Sequence, residues 1–289
     1  FDADFYLSYS WQDDKLAFGE ALEAGACFFE STQMRDRIWT PQLEFMNSFK
    51  QQDTGKTLLT LYDDGQVLIE RRINGTFRSQ LNLRLFPFDS QSLELVFQAY
   101  DTREEAVFVT MPFEGVSEQE AIEDMISKLR LIEWQILGIT AAEQPGNWGA
   151  DHSNYIVRLD LDRYAFYYLL TFFLPLVLVV LVAGSTFLMP RASGATSLVG
   201  IPVTCMLSLI ALQIVVAEEL PRVSYVTLAG AVIANSFVFS VLSVFDGVWH
   251  LAQTNGRSTA QGRRLFALFI GGYVAVTLVI MVAFGFVDG

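Results

Sequence analysis

The stretch that decides the fold is residues 193–222, which read SGATSLVGIPVTCMLSLIALQIVVAEELPR. It has the length of a membrane-spanning helix, yet small or polar residues recur along it every three or four positions. Such spacing places side chains on one face of a helix. This face, called the stripe below, is hydroxylated at one end, apolar in the middle and carboxylate-bearing at the other end. Its members are Thr196, Gly200, Thr204, Leu207, Ala211, Ile214 and Glu218.

Two interpretations of the stripe are open. Its small residues could allow close packing of helices within a bundle. Alternatively the stripe meets water while the other faces meet protein and lipid. A single helix cannot enclose water, so the second interpretation requires several copies around one symmetry axis. Leu207, Ala211 and Ile214 would then form an apolar constriction that gates by dewetting. Glu218, together with Glu219, would place negative charge at one mouth.

Charge and hydropathy divide the chain into two parts. The 289 residues are 52% hydrophobic, and they include 19 basic and 32 acidic residues. Residues 164–289 hold only 5 of the basic and 4 of the acidic ones. We therefore predict an acidic, water-soluble domain over 1–163 and a membrane domain over 164–289. The acidic domain argues against nucleic acid as a partner and raises the local concentration of cations.

The first part of the chain is predicted to be an all-β sandwich. Short apolar and aromatic runs alternate with turn residues, as in FYLSYSW at 5–11. Asp64-Gly65 stands between two apolar runs, which is a strong signal for a β-hairpin. The segments 78–85 and 92–96 also alternate as half-buried strands do, and they flank the corner Phe86-Pro87-Phe88-Asp89.

The second part is predicted to contain four membrane helices, at about 165–188, 196–217, 224–249 and 265–287. Pro202 predicts a kink near Leu198, because proline removes a backbone donor and clashes with the preceding turn. The positive-inside rule makes the side that carries the loop arginines cytoplasmic; these are Arg191, Arg257, Arg263 and Arg264. The chain is thus expected in the cell membrane with four spans. Its N-terminal domain and its C-terminus lie outside the cytoplasm, in the periplasm if the source is Gram-negative.

No pattern for catalysis or metal binding is present. Cys27 and Cys205 fall in different halves, so neither a disulfide nor a cysteine metal site is expected. His152 and His250 are also separated. We find no nucleophile–base pair and no phosphate-binding loop, and we expect neither an enzyme nor a bound cofactor or metal.

Several short motifs match one family. They are Trp11-Gln12-Asp13 with Lys15-Leu16, Ile38-Trp39-Thr40-Pro41, Phe86-Pro87-Phe88-Asp89-Ser90-Gln91, Arg163, Pro175 and Leu220-Pro221-Arg222. With these motifs in this order, the chain resembles the prokaryotic pentameric ligand-gated ion channels, which are bacterial relatives of the Cys-loop receptors. The resemblance covers nearly the whole chain and implies a homopentamer around a central pore. Ser79 and Leu93 stand where the family's loop cysteines would be, as in the bacterial branch.

The resemblance also implies two sets of functional residues. A ligand site between neighbouring subunits would use Tyr6, Phe45 or Met46, Tyr100, Trp148, His152 and Tyr155, whose aromatic faces attract ammonium groups. Coupling between the two domains would use Phe86, Pro87, Phe88, Asp89, Arg163, Leu220, Pro221 and Arg222. Ion selectivity stays open. Cation-selective relatives usually carry a carboxylate where Ser193, Thr196 and Ser197 stand, and Gly194-Ala195 only half matches the Pro-Ala of anion-selective relatives.

We expect a gated, cation-selective channel that is opened by a pH change or by a small organic agonist at the subunit interface. Its partners would be further copies of itself, membrane lipid and monovalent cations. A pH response is expected because His152 lies in the candidate ligand loop and histidine changes charge near neutral pH. The 28 carboxylates of residues 1–163 add to that expectation, since clustered like charges resist full ionisation. The alternative is a non-conducting, membrane-anchored sensor with a small-molecule-binding β-sandwich.

Overall fold

The computed structural model describes residues 1–17, 26–30, 38–53, 57–102, 106–109, 120, 122–124, 126, 131–145, 152–253 and 257–287. The strands are β1 (Asp2–Gln12), β2 (Ala26–Glu30), β3 (Leu43–Phe45), β4 (Ser48–Asp53), β5 (Leu58–Tyr62), β6 (Gln66–Phe77), β7 (Ser90–Thr102), β8 (Trp134–Pro145) and β9 (His152–Arg163). The helices are α1 (Phe166–Leu188), α2 (Gly194–Glu219), α3 (Leu228–Ala252) and α4 (Thr259–Val287). The chain divides into two compact units.

The first unit contains two β-sheets. The five-stranded sheet has the order β1-β6-β5-β2. The edge of β6 that pairs with β5 at its start pairs with β4 at its end. The four-stranded sheet has the order β3-β7-β9-β8. Phe45 and Phe97 from this sheet pack against Ile73 and Phe77 from the other. The ring centroids of Phe45 and Phe97 lie 4.8 Å apart, and those of Phe45 and Phe77 lie 5.4 Å apart. The predicted all-β sandwich is therefore confirmed.

The hairpin prediction is confirmed, and one strand prediction is wrong. Gly65 adopts a φ of 91° in the turn between β5 and β6, a conformation that favours glycine. By contrast, β6 ends at Phe77, and 78–83 form no strand. At least one backbone group there bonds to a side chain instead of a neighbouring strand, since the amide of Leu83 donates to the hydroxyl of Tyr225 over 2.9 Å. Alternating hydrophobicity did not distinguish this loop from a strand.

The second unit contains the four helices, together with 82–90 and 133–135. All four helices are long and apolar enough to cross a membrane. Two of them begin at other residues than the sequence predicts. The third starts at Leu228, because the side chain of Thr227 caps it by accepting from the amide of Gly230. The fourth starts at Thr259, because Ser258 and Gln261 exchange two hydrogen bonds as a capping box.

Candidate functional site

The stripe lies on the exposed side of α2. Thr196, Thr204, Ala211 and Glu218 are exposed in the single chain, and Gly200 is half-buried. Two large apolar members are also exposed, Leu207 by 62% and Ile214 by 55%. Exposure of large apolar side chains to bulk water is unfavourable in free energy. The arrangement therefore requires lipid, other copies of the chain or a narrow pore on this side.

The opposite face of α2 holds the helix in its bundle. Its buried residues recur at steps of four, three, four and seven positions, and they are Leu198, Pro202, Cys205, Leu209 and Val216. At 100° per residue this set lies about half a turn from the stripe. The neighbouring helices that contact α2 are α1 and α3. The chain thus uses one face of α2 for internal packing and presents the stripe away from its own bundle.

The kink predicted near Leu198 has a structural counterpart one residue later. The helix is interrupted at Val199, whose φ is −111°, and it resumes at Gly200. Pro202 has no amide hydrogen, so the carbonyl of Leu198 cannot receive the usual helical hydrogen bond. A Cβ atom on Gly247 of α3 would collide with that carbonyl oxygen. The absence of a side chain at Gly247 is what allows α3 to approach the interrupted turn.

Two carboxylates stand at the C-terminal end of α2. Glu218 and Glu219 are both exposed and close the helix, and Leu220 adopts an extended conformation. Negative charge at a helix C-terminus is unfavourable, because the helix dipole is itself negative there. A pair of glutamates in this position is therefore not explained by helix stability and is consistent with a role in an acidic mouth.

Asp89 and Arg163 form a nearly buried ion pair in the helical unit. Arg163 donates from Nε to one carboxylate oxygen over 2.8 Å and from Nη2 to the other over 3.2 Å. The side chain of Arg163 is 10% exposed and that of Asp89 is 2% exposed. Burial alone lowers the pKa of Arg163, but the hydrogen bonds and charge of Asp89 outweigh it and the net shift is upward. Arg163 therefore stays protonated, and its two hydrogen bonds fix the position of the loop that carries Asp89.

Aromatic rings surround this guanidinium. Its Cζ atom lies 4.0 Å from the ring centroid of Trp134, 5.1 Å from that of Phe86 and 5.5 Å from that of Tyr168. The hydroxyl of Tyr168 is 3.3 Å from Arg163 Nη1 and 3.4 Å from Glu133 Oε2. The sequence motifs did not reveal Trp134, Tyr168 or Glu133. A tyrosine just inside an apolar helix was the available signal, because its hydroxyl needs a polar partner.

The loop with the FPFD motif is tied to the segment between α2 and α3. Phe86 is 1% exposed and packs edge-on against Tyr168 at 5.0 Å, in the cluster against which Leu220 also packs. The amide of Leu228 donates to the carbonyl of Arg84 over 2.7 Å. Among the other predicted coupling residues, Pro87 is buried, whereas Phe88, Pro221 and Arg222 are exposed. The loop with the FPFD motif and the segment between α2 and α3 therefore pack together within the helical unit.

Three of the predicted ligand residues, Met46, Tyr100 and His152, line one cavity of the first unit. The cavity measures about 350 Å³ and is lined by Glu44, Met46, Gln98, Tyr100 and His152. The Nδ1–H of His152 donates to the carbonyl of Asp101 over 3.3 Å, which fixes the ring. The lining combines a carboxylate, an amide, an imidazole, a thioether and a phenol. Glu44 and Gln98 were not singled out from the sequence. Each lies two residues before a predicted ligand residue, Met46 and Tyr100 respectively, and residues two apart in extended chain share one face.

The other predicted ligand residues lie elsewhere. Phe45 is 4% exposed and belongs to the core, so of the alternatives Phe45 and Met46 the cavity contains Met46. Tyr155 is half-buried and packs on Phe108 at 5.8 Å. Tyr6 is 75% exposed on β1, in the five-stranded sheet, whereas the cavity residues come from the four-stranded sheet and its connections. Trp148 lies outside the described residues.

An exposed ion pair accompanies Tyr6. Arg72 donates two hydrogen bonds to Asp4, of 2.9 and 2.6 Å, and its Cζ lies 5.9 Å from the Tyr6 ring centroid. The hydrogen bonds from Arg72 lower the pKa of Asp4 below its ordinary value of 3.8. Asp4 therefore stays ionised at neutral pH. Among the described residues no cluster of histidine, cysteine and carboxylate side chains could hold a metal ion.

Comparison with known proteins gives consistent similarities. A sequence model of the neurotransmitter-gated ion-channel ligand binding domain matches residues 1–164. A proton-gated ion channel of Gloeobacter violaceus is 27% identical over 251 residues, covering 85% of this chain and 66% of that protein. The γ-aminobutyric acid receptor subunit gamma-4 of Gallus gallus is 29% identical over 252 residues, covering 84% of this chain and 52% of that protein.

The human γ-aminobutyric acid receptor subunit rho-2 is 28% identical over 273 residues, covering 91% of this chain and 56% of that protein. The chain therefore spans between about half and two thirds of the length of the relatives compared.

Proposed function

The chain belongs to the neurotransmitter-gated ion-channel family, and on that premise we propose that five identical copies surround a pore lined by the stripe of α2. The observation that carries the proposal is the orientation of α2, which packs on its own bundle with the face opposite the stripe. Five stripes around one axis would cover Leu207 and Ile214, which a single chain leaves exposed. The same arrangement would give Thr196, Gly200, Thr204, Ala211 and Glu218 contact with water.

The pore is proposed to close at an apolar constriction and to prefer cations. A ring of Leu207, Ala211 and Ile214 excludes ions by dewetting when it is narrow. Ten carboxylates, from Glu218 and Glu219 of five copies, would concentrate cations at one mouth. The net charge of −13 per chain acts in the same direction. Four helices are long and apolar enough to span the membrane. We place residues 1–163 and the C-terminus outside the cytoplasm, because the arginines of the loops on the other side favour the cytoplasm.

The ligand site is proposed to lie between neighbouring copies. One copy would supply the cavity lined by Met46, Tyr100 and His152, and the next would supply Tyr6 with its ion pair of Arg72 and Asp4. Two kinds of ligand deserve a test on account of the relatives, one of which is named for protons and others for γ-aminobutyric acid. Glu44 in the cavity would attract an ammonium group, and Tyr100 would support it through its ring.

A pH response between about pH 5 and 9, where histidine titrates, cannot come from Asp4. Its pKa is lowered in the folded chain, so the Asp4–Arg72 pair contributes stability above the unfolded pKa. That contribution is lost only as the pH falls through the lowered pKa. His152 and the carboxylates of the acidic domain are therefore the groups to test, and protons would bias the gate wherever the open and closed states bind different numbers of them.

Conduction is tested with purified protein in a planar bilayer under a salt gradient. Leu207→Thr should conduct without any ligand, because a hydroxylated ring wets the constriction. The wild type should conduct after a change of pH or addition of γ-aminobutyric acid, with a reversal potential that follows the cation gradient. A potential that follows chloride would reject cation preference and keep the channel.

The same experiment separates the channel from the alternative sensor. If pentamers of both wild type and Leu207→Thr pass no current at any pH, while γ-aminobutyric acid still binds, the non-conducting sensor is the better account. His152→Gln and Tyr100→Ala divide the two openers. His152→Gln should flatten a response to pH, whereas Tyr100→Ala should weaken γ-aminobutyric acid without flattening the pH response.

A further inference from the structure

Two consecutive arginines on β6 point to opposite faces of the five-stranded sheet. Arg72 faces outwards, is about half exposed and donates two hydrogen bonds to Asp4. Arg71 faces inwards and is only 8% exposed. Its neighbours on the inner face of β6 are Ile69 and Ile73, which belong to two different hydrophobic clusters of the β-sandwich. The guanidinium of Arg71 therefore lies in the interior, where a cation is costly.

Among the described residues, no carboxylate compensates this charge. In the described part of the chain, none lies within salt-bridge distance of Arg71, and its buried Nε–H has no hydrogen-bond partner. The contact that the guanidinium does make is with an aromatic ring, since its Cζ atom lies 5.8 Å from the ring centroid of Tyr9. A cation–π contact offsets part of the lost hydration but leaves the buried Nε–H unsatisfied.

A second unsatisfied donor belongs to a residue that contacts the same ring. Trp11 stacks on Tyr9 at 6.2 Å with an angle of 24° between the rings. The indole Nε1–H of Trp11 is buried, and it too has no partner in the part of the chain that is described. Trp39 packs edge-on against Trp11 at 6.1 Å. The Tyr9 ring thus contacts a guanidinium and an indole, each of which carries a buried N–H donor without a partner among the described residues.

We infer that Arg71 anchors a second ligand site, inside the β-sandwich, for a small carboxylate with an apolar body. The planar guanidinium matches a carboxylate with two parallel hydrogen bonds. Tyr9 and Trp11 would cover the apolar body, and this favours an organic carboxylate over inorganic phosphate. A bound carboxylate would compensate the charge of Arg71 and accept a hydrogen bond from its Nε–H. No described residue of the chain does either.

This site is separate from the cavity that contains Tyr100. Arg71, Tyr9 and Trp11 belong to β1 and β6 of the five-stranded sheet, whereas the cavity is lined from β3, β7 and β9. Arg72 cannot substitute for Arg71, because it is engaged by Asp4 and faces the other side of the sheet. Binding at Arg71 is measured without current, so the inference stands or fails independently of conduction.

The test is calorimetric titration of the purified full-length protein with benzoate, with benzamide as the neutral probe of the same shape. Arg71→Gln removes the charge while keeping most of the volume, and it should weaken benzoate by about tenfold or more, as expected for lost hydrogen bonds to a charged group. Arg158→Gln is the control, because Arg158 is an exposed arginine of the other sheet that pairs with Glu94. It should leave benzoate affinity nearly unchanged, and benzamide should bind the wild type far more weakly than benzoate.

Three outcomes would overturn the inference. They are equal benzoate affinity in wild type and Arg71→Gln, equal affinity of wild type for benzoate and benzamide, and displacement of benzoate by chloride at the same concentration. Folding is checked through the melting temperature, which benzoate should raise in the wild type and not in Arg71→Gln. If Arg71→Gln does not fold, Arg71→Lys keeps the charge but loses the planar fork, and it should still bind benzoate more weakly than the wild type.

Discussion

The helices α2 and α3 are both apolar and of membrane length, but they turn their polar side chains in opposite directions. In α3, Ser236, Ser240 and Ser243 are fully buried in the bundle. In α2, the hydroxyl-bearing Thr196 and Thr204 lie on the exposed side. The bundle accordingly buries 50% of the membrane span of α3 and 22% of that of α2.

The difference teaches which polar residues serve the fold. Ser236 donates to the carbonyl of Val232 and lies 3.0 Å from the hydroxyl of Tyr273 on α4, and Asn235 donates to Thr277 over 3.1 Å. Asn235 and Ser236 therefore tie α3 to α4. Thr204 bonds only to a carbonyl of its own helix, Gly200 O, over 3.0 Å. Polar groups that do nothing for their own bundle indicate a function outside it.

The largest expected effect separates the two faces of α2. Leu209 is fully buried, so Leu209→Ala should cost about 2–5 kcal/mol of stability through the cavity it leaves. Leu207→Ala is the matched control two residues away, and as an exposed substitution it should change the stability of the bundle by no more than about 0.5 kcal/mol. Thermal unfolding of both variants in detergent measures the difference. Equal losses would mean that the stripe is not a free face.

The next effect tests the contact that joins α2 to α3. Gly247→Ala places a Cβ atom against the carbonyl of Leu198, and overpacking of this kind costs about 1–3 kcal/mol. On α4, a Cβ atom at Gly271 meets nothing within 4 Å. Gly271→Ala should therefore stabilise the helix by about 0.4–1 kcal/mol. Melting temperatures should move in opposite directions, and a drop of similar size in both would remove the argument from close approach.

A smaller effect concerns access from water. Thr204→Cys and Ala211→Cys should react with water-soluble thiol reagents, whereas Ser236→Cys and Ser240→Cys on α3 should not. The background needs Cys27→Ser and Cys205→Ser. Val203 and Ile210 flank the stripe and are 42% and 45% exposed in the single chain. Cysteines there should be protected by neighbouring copies, and reaction as fast as at Thr204 would show that the face is assigned wrongly.

The smallest effect concerns charge at the end of α2. Glu218→Gln with Glu219→Gln should lower cation conductance through loss of electrostatic focusing. The reduction should be largest at low salt and nearly vanish at 1 M, where the Debye length falls to about 3 Å. High salt is thus an internal control in the same bilayer. A reduction that persists unchanged at 1 M salt would assign these glutamates to helix structure instead.

Periodicity and composition sufficed for the parts of the molecule that depend on local chemistry. The hairpin at Asp64-Gly65, the acidic β part, the four apolar helices and the exposed stripe all follow from spacing, turn residues and charge. The caps were readable too, since Ser258 and Gln261 have capping-box spacing, but the polarity of that segment hid the true start of α4.

Tertiary structure alone decided which side chains meet across the chain. No spacing rule brings Trp134 to Arg163 or Glu133 to Tyr168, and none distinguishes Met46 from Phe45 in the cavity. Nor does any such rule tell that Arg71 faces inwards while Arg72 is paired with Asp4. These contacts join residues that are distant in sequence or lie on alternate faces of one strand. A shift of register by one residue would exchange every one of those faces, so the pairing of β6 with β1 had to be known before the role of either arginine could be argued.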